Sequence, residues 1–414
     1  MRCTAIGQSA GLLLVALLAV ACGGNSDSGA GPSGSGAGNT SAGSNASGAS
    51  GSGASNGGAS SGQSGASANG GSGAGQAGGT ATSGTSAMLG GCAMFPANHI
   101  FNTPIDTLPV DAGSKAFLDT IGAHKIHLDL GTSVDQKAAD YYGIPYNVVH
   151  SKVLPWVNVT FSSSDGTADE GDCAVGDAHT FTSPCIGAAA AKPQFPIPAA
   201  PLVEGGIETD PSKYGDHHVL LLDSDTCSLW ELYHVYPDAK GGWDILGSAY
   251  FDLHSNALRK AGWTSADAAG FPILPLLLRA DEASSGTITH ALRFTIESDT
   301  IRQEYIWPAR HLTTNGTMSM SQPPMGQAFR IKSSYTIPAN FNSQSRAILQ
   351  ALKTYGMYLA DGGSAFYIQG EPSANWQDDT FSQVQSVASD QFEAVDLTSI
   401  SKRAGFDPNS ATVP

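Results

Sequence analysis

Cations are scarce in this chain. Lys and Arg number 20 against 36 Asp and Glu, a net charge of −16 at neutral pH. Such a surface repels phosphate backbones and anionic headgroups, which argues against nucleic acid as a partner and against direct adhesion to a membrane. Beyond the N-terminus no apolar run is long enough to span a bilayer as a helix. Cysteines are few and none forms a C-x-x-C pair, so a zinc site is disfavoured. Residues 91–414 contain no G-x-S-x-G elbow, H-E-x-x-H helix, P-loop or dinucleotide fingerprint. Serine hydrolase, zincin, nucleotidase and dinucleotide enzyme are demoted together, and no cofactor is expected.

What is present starts with an address. Residues 1–21 hold Arg2 and then the apolar run Leu12 to Leu18, the pattern of a secretory signal. Leu18-Ala19-Val20-Ala21-Cys22 resembles the lipobox of bacterial lipoproteins. The resemblance implies cleavage before Cys22, lipid on that residue, and an envelope protein whose membrane contact is the lipid alone. Residues 22–90 are almost entirely Gly, Ser, Ala and Asn, with Asp27 the single charge after Cys22. Such a segment buries too little apolar surface to offset its ordering entropy. It is expected to be a disordered linker, spanning roughly 45 Å as a flexible coil.

Residues 91–414 are expected to form one β-rich globular domain. Arg2 and Asp27 cancel, so this part keeps the whole charge of −16. It holds Cys92, Cys173, Cys185 and Cys227, an even count that in an exported chain suggests two disulfides. Three connectivities are available. The short polar loop favours Cys173–Cys185, with Cys92 clamping the first segment to Cys227. Strands are expected over 141–149, 157–161, 249–253, 288–296, 304–307, 329–337 and 365–369, with a hairpin over 218–236. Helices are expected at 114–121, capped by Ser114, after the Thr264-Ser265-Ala266-Asp267 spacing, and at 345–359. Residues 162–201 look like loop. Many short strands and few helices predict a β-sandwich or barrel-like domain.

Residues 215–311 concentrate His, Arg, Asp, Glu and Trp. Glu231 lies among large apolar neighbours, where a desolvated carboxyl can serve as general acid. Asp252, on the next strand, is its expected partner for glycoside hydrolysis. His290, Arg310 and His311 form a second candidate catalytic set. Trp230, Tyr233, His234 and Arg293 are candidate substrate-binding groups. An Arg–His–Tyr set fits a lyase acting on uronate polymers. A structural ion-pair network would contain the same residues. His217 and His218, beside Asp216 and Asp223, are a weak metal candidate, because neighbouring strand residues diverge.

Tyr142-Gly143-Ile144-Pro145-Tyr146, Asp216-His217-His218, Trp263-Thr264-Ser265-Ala266-Asp267, His290-Ala291-Leu292-Arg293-Phe294, Pro308-Ala309-Arg310-His311, Pro324-Met325-Gly326 and Tyr355-Gly356 through Asp361 carry a further resemblance. It is to a family of secreted bacterial proteins of unassigned activity, and it covers most of residues 92–400. It implies no functional residue. The residues therefore lead to an expectation of a surface-tethered protein acting on polysaccharide or a cell-surface glycan, as hydrolase or lyase. The alternative is a non-catalytic glycan-binding or structural module.

Overall fold

A computed structural model describes residues 86–161, 170–185, 192–207, 215–313 and 316–414. The signal sequence, Cys22 and nearly all of the linker lie outside them. The described chain is mainly strand, arranged in several sheets with a few short helices, and no sheet closes into a barrel among the described residues.

The hairpin expected around 218–236 is the centre of a four-stranded sheet. Val219–Asp223 and Ser228–Tyr233 pair antiparallel, with Leu222 opposite Leu229 and Leu220 opposite Glu231. Gly247–Asp252 adds to one edge and Tyr146–Val149 runs parallel on the other. Every residue of Val219–Asp223 is buried because both faces of the sheet are covered. On one face Leu220, Leu222, Leu229 and Phe251 pack against Met94, Phe95, Ile273 and Leu277. On the other, Val219, Leu221, Trp230 and Leu232 meet Val159, Phe195 and Ile245 from a six-stranded sheet. Each such side chain contributes about 1.5–3 kcal/mol by leaving water.

A second six-stranded sheet runs in the order Phe392–Ala394, Ala328–Ile331, Met357–Gly362, Leu292–Ile296, Tyr367–Gln369 and His127–Asp129. Its apolar residues share a core with Ile348, Leu349 and Leu352 of helix Ser343–Thr354. Both expected disulfides form: Cys92–Cys227 joins the start of the described chain to the hairpin turn, and Cys173–Cys185 closes a short loop. They match an oxidising, extracytoplasmic compartment.

Local departures have local causes. The expected helix over 345–359 spans Ser343–Thr354, with Asn342 accepting from the Ser345 amide at 2.8 Å. It stops because Gly356 takes a φ of 71°, and a Cβ there would sit 2.4 Å from the Phe329 carbonyl. Strand Met357–Gly362 begins at once. No helix follows Thr264: the Asp267 carboxylate turns forward to accept from the Ala269 amide at 2.9 Å. Ser114 is the first helical residue and not the cap; its hydroxyl accepts from the Ala394 amide at 2.8 Å. Three short strands, Cys173–Val175, Thr180–Thr182 and Pro193–Phe195, occupy the expected loop.

Candidate functional site

The residues singled out from the sequence do not converge. Glu231 is opposite Ala249 and so shares a face with Phe251, whereas Asp252 points to the other face. The expected carboxyl pair is therefore split by the sheet. Glu231 is fully buried and accepts from the amides of Ile273 (2.8 and 2.9 Å) and Leu274 (2.8 Å), anchoring the turn Leu274–Leu276. Burial pushes its carboxyl up to about 7 against those amides. Asp252 is exposed and accepts from the His254 amide at 3.0 Å. His290 is sealed, with Nε2 2.9 Å from Glu282, which also pairs with the buried Arg279. Arg310 donates to the carbonyls of Arg259 and Pro408, both at 2.7 Å, and to Asn409 at 3.0 Å, a clamp on the C-terminal segment. His311 lies 3.0 Å from the Ala268 carbonyl.

Trp230 is core, 4.7 Å from the Tyr250 ring and 5.3 Å from Phe195. The metal reading of the His217-His218 pair fails on geometry. His217 directs its two ring nitrogens at the carbonyls of Val235 and Gly206. His218 directs its own at Glu204 and the Ala266 carbonyl. Asp223 is occupied by Ser151 and Thr226. Among the described residues no group of three His, Cys, Asp or Glu is placed to hold a metal.

Arg293 is the exception, and it leads to the site. Its strand is paired so that Thr295 faces Tyr367, Tyr367 faces His127 and Gln369 faces Asp129. Alternation puts Arg293, Thr295, Tyr367, Gln369, His127 and Asp129 on one face, and Phe294, Ile368 and Leu128 in the core behind it. A register shift between Phe294 and Thr295 leaves Ala360 unmatched, which brings Asp361 onto the polar face opposite Thr295. Arg293 donates to Asp267 through Nη2 (2.5 Å) and Nε (3.1 Å). Asp361 accepts from the Ala268 amide at 3.1 Å and from the Gly362 amide at 2.7 Å. Glu204, Asp216 and His218 enter from the segments before the central sheet. Glu204 is 2.6 Å from His218 Nδ1, with a quarter of its side chain exposed. Tyr233 lies beside His218, ring centroids 5.5 Å apart, and the His234 amide donates to the Asp216 carbonyl at 2.9 Å.

The result is a polar cluster in which Asp267 and Arg293 are buried, Asp129, Glu204 and Asp361 are partly buried and Asp216 is exposed. Its carboxyls are not equivalent. Burial works against the charge of Glu204, but the His218 imidazolium and its hydrogen bonds hold this carboxyl below its usual range. His218 answers in kind: burial would lower it, yet Glu204 and then Asp216 hold it at about 9. Asp216 is exposed as a residue, yet the crowding of its carboxyl out of water raises it, and the charge on Glu204 adds to the rise. Burial likewise raises Asp129 and Asp361, opposed by a hydrogen bond from Tyr142 in the first and by Arg293 in the second. The Asp267 carboxyl is pushed up to about 7 by burial against the pull of Arg293.

Depressions adjoin the strand His127–Asp129. One of about 490 Å³ is bounded by Leu130, Thr132 and Tyr142, and one of about 420 Å³ by Lys125, His127 and Tyr367. His127 stacks on Tyr367 with centroids 4.0 Å apart. The sequence reading missed Asp129, Glu204 and Asp361 as site residues, and used Asp267 only as a helix signal. The available signal was polar alternation on two short strands, His127-Leu128-Asp129 and Tyr367-Ile368-Gln369. Comparison of the chain with family models, with curated proteins and with solved structures returns no match.

Proposed function

We propose that the protein hydrolyses glycosidic bonds at this polar cluster. The observation that carries the proposal is the separation of neighbouring carboxyls. Glu204 is kept ionised by His218 while Asp216 beside it is raised. Two carboxyls pushed in opposite directions are what hydrolysis of a glycoside uses: one protonated group for the leaving oxygen, one ionised group for the sugar carbon or the attacking water. Asp216, which reaches solvent, takes the acid role and Glu204 the base or nucleophile role. Asp129 and Tyr142 offer hydrogen bonds to sugar hydroxyls, and the stacked His127–Tyr367 pair offers a flat face to a ring. Hydrolysis is favoured over elimination because Arg293 is already neutralised by Asp267. Among the described residues both cations of the cluster, Arg293 and His218, are already paired with carboxylates and neither is free to grip a uronate.

The same proposal keeps the N-terminal expectation: a lipid on Cys22 and a linker holding this domain off the membrane. The test is incubation with neutral, amino-sugar and uronate polysaccharides, following reducing ends and the absorbance of unsaturated products. Reducing ends without unsaturated product are expected, and Glu204→Gln and Asp216→Asn should each remove them. Unsaturated product, or full activity in both variants, refutes the assignment. Inactivity on every glycan favours the non-catalytic module.

A further inference from the structure

The cavity of about 420 Å³ beside strand His127–Asp129 runs against the charge of the chain. The protein carries −16, yet no Asp or Glu contributes to this lining. His124, Lys125, His127 and Tyr367 supply it from the strand side, and Gln385 and Ser386 from the end of helix Asp378–Val384. The cavity of about 490 Å³ is the opposite: Asp140 and Asp378 line it, and no Lys, Arg or His does. Both volumes lie in the range of small-molecule sites, roughly 300–1,000 Å³.

The walls of the first cavity are tied to each other. The His124 amide donates to the Ser389 hydroxyl at 3.1 Å, and the Ser389 amide donates to the His124 carbonyl at 2.8 Å. The Ile126 amide donates to the Val387 carbonyl at 3.0 Å. Strand His127–Asp129 is the last of its sheet, so the His127 ring has Tyr367 on one face and no further strand on the other. The two rings stack, with centroids 4.0 Å apart and planes 20° from parallel. Burial lowers the His127 imidazole against the pull of Asp129, so at neutral pH this is an uncharged aromatic face.

Beside that face stand donors with no partner. Lys125 is exposed, and among the described residues its ammonium makes no ion pair or hydrogen bond. The side chains of His124 and Gln385 are likewise unengaged among the described residues. The Ser386 hydroxyl donates to the Gln383 carbonyl at 2.6 Å and can still accept. An ammonium and an imidazole around one space answer a small anion. The aromatic face answers the apolar side of a ring, and the amide and hydroxyl answer ring hydroxyls. His127 and Asp129 share a face of one strand two residues apart, roughly 7 Å, so a ring held here adjoins the polar cluster.

We propose that this cavity binds an acidic sugar unit, with its anionic substituent at Lys125 and His124 and its ring on His127, and that the glycan cleaved at the adjoining cluster is an acidic one. This rests on the hydrolase reading for cleavage but not for binding. The anion is held apart from the reacting carboxyls, which would repel it. A carboxylate and a sulfate ester share the chemistry required. A neutral unit keeps the ring contact and loses the charged one.

The test is calorimetric titration of the full chain at low and high salt. The ligands are oligogalacturonate and oligoglucuronate, each against its neutral methyl ester, and a sulfated gluco-oligosaccharide against its unsulfated form. At least one acidic form is expected to bind about tenfold more tightly than its neutral counterpart, the scale of one charged hydrogen bond. The arm that does so identifies the group as carboxylate or sulfate. The preference should shrink as salt rises. Lys125→Gln should cut it several-fold, while Lys402→Gln, which removes an exposed cation elsewhere, leaves it unchanged. His127→Ala should weaken acidic and neutral forms alike. Equal binding within every pair, or a preference unaltered in Lys125→Gln, overturns the inference. So does polyglutamate binding as tightly as the acidic sugar, because the cavity would then read charge alone. Product analysis separates the two claims. Tight binding of an acidic oligomer without cleavage leaves the inference standing and sinks the hydrolase. Cleavage of the oligomers with no preference between acidic and neutral forms does the reverse.

Discussion

Glu231 and Glu204 carry the same functional group in opposite surroundings. Glu231 is wholly buried, with backbone amides on both oxygens and a carboxyl pushed up to about 7. Glu204 stays partly open, holds an imidazolium and sits below its usual range. Glu231 looks the better general acid by its shift alone, yet no substrate reaches it. A perturbed carboxyl marks a site only when it also meets solvent and has neighbours whose demands the protein leaves unmet. The buried Arg279–Glu282–His290 group makes the same point: it gathers the residue types of an active site and seals them.

The sharpest test of this contrast is a matched pair of substitutions. Glu204→Gln should lower turnover about 10²–10⁴-fold, while Glu231→Gln should leave turnover within a few-fold. Comparable losses in both, at equal folded fraction by circular dichroism, would dissolve the distinction. Next in size is Glu282→Ala, which strands Arg279 and His290 in the interior. Urea denaturation should show a loss of about 3–5 kcal/mol, with turnover per folded molecule unchanged.

The pH dependence sharpens the comparison further. Glu231, at about 7 when folded against 4.5 for the free group, binds more protons in the native state between those values. Stability therefore falls as pH rises through that window. His218, at about 9 against 6.5, contributes stability that is complete below 6.5 and is lost as pH climbs through 9. Both push the same way, so the melting temperature should decline steadily from pH 5 to pH 9. In Glu231→Gln the fall between pH 5 and 8 should lessen by about 2 kcal/mol, while the share of Asp267, also at about 7 when folded, and the alkaline part remain. A flat profile in the parent protein would contradict the burial of Glu231. The smallest effect belongs to Asp252→Asn: an exposed carboxyl on the wrong face should change stability by less than about 0.5 kcal/mol and turnover not at all.

The elements were more legible than the site. Alternation in Leu229–Tyr236 and the turn between two apolar runs located the hairpin, and cysteine spacing with an exported context anticipated both disulfides. Face assignment held within a strand and failed between strands. The register that sends Asp252 away from Glu231 is set by pairing, which one strand cannot reveal. The unmatched Ala360 that presents Asp361 is equally invisible in Met357–Gly362. Asp267 misled because a carboxylate three residues after Thr264 mimics a capping box. Its real partners, Arg293 and the Ala269 amide, include one brought in by tertiary packing. Asp129 and Glu204 come from a very short strand and a loop, where no periodicity accumulates.

The Cys92–Cys227 bond has a mechanical consequence. A pull on the chain from the N-terminal side reaches Cys92 and crosses directly to Cys227, so the residues between them, 93–226, lie off the line of force. That interval includes Asp129, Glu204, Asp216 and His218, whereas Asp267, Arg293 and Asp361 lie beyond it. Load enters at the hairpin turn, at the end of strand Ser228–Tyr233, which is hydrogen-bonded on both sides. Under tension the first segment cannot be peeled away from the sheet, and Glu204, Asp216 and His218 stay unloaded for as long as the hairpin holds.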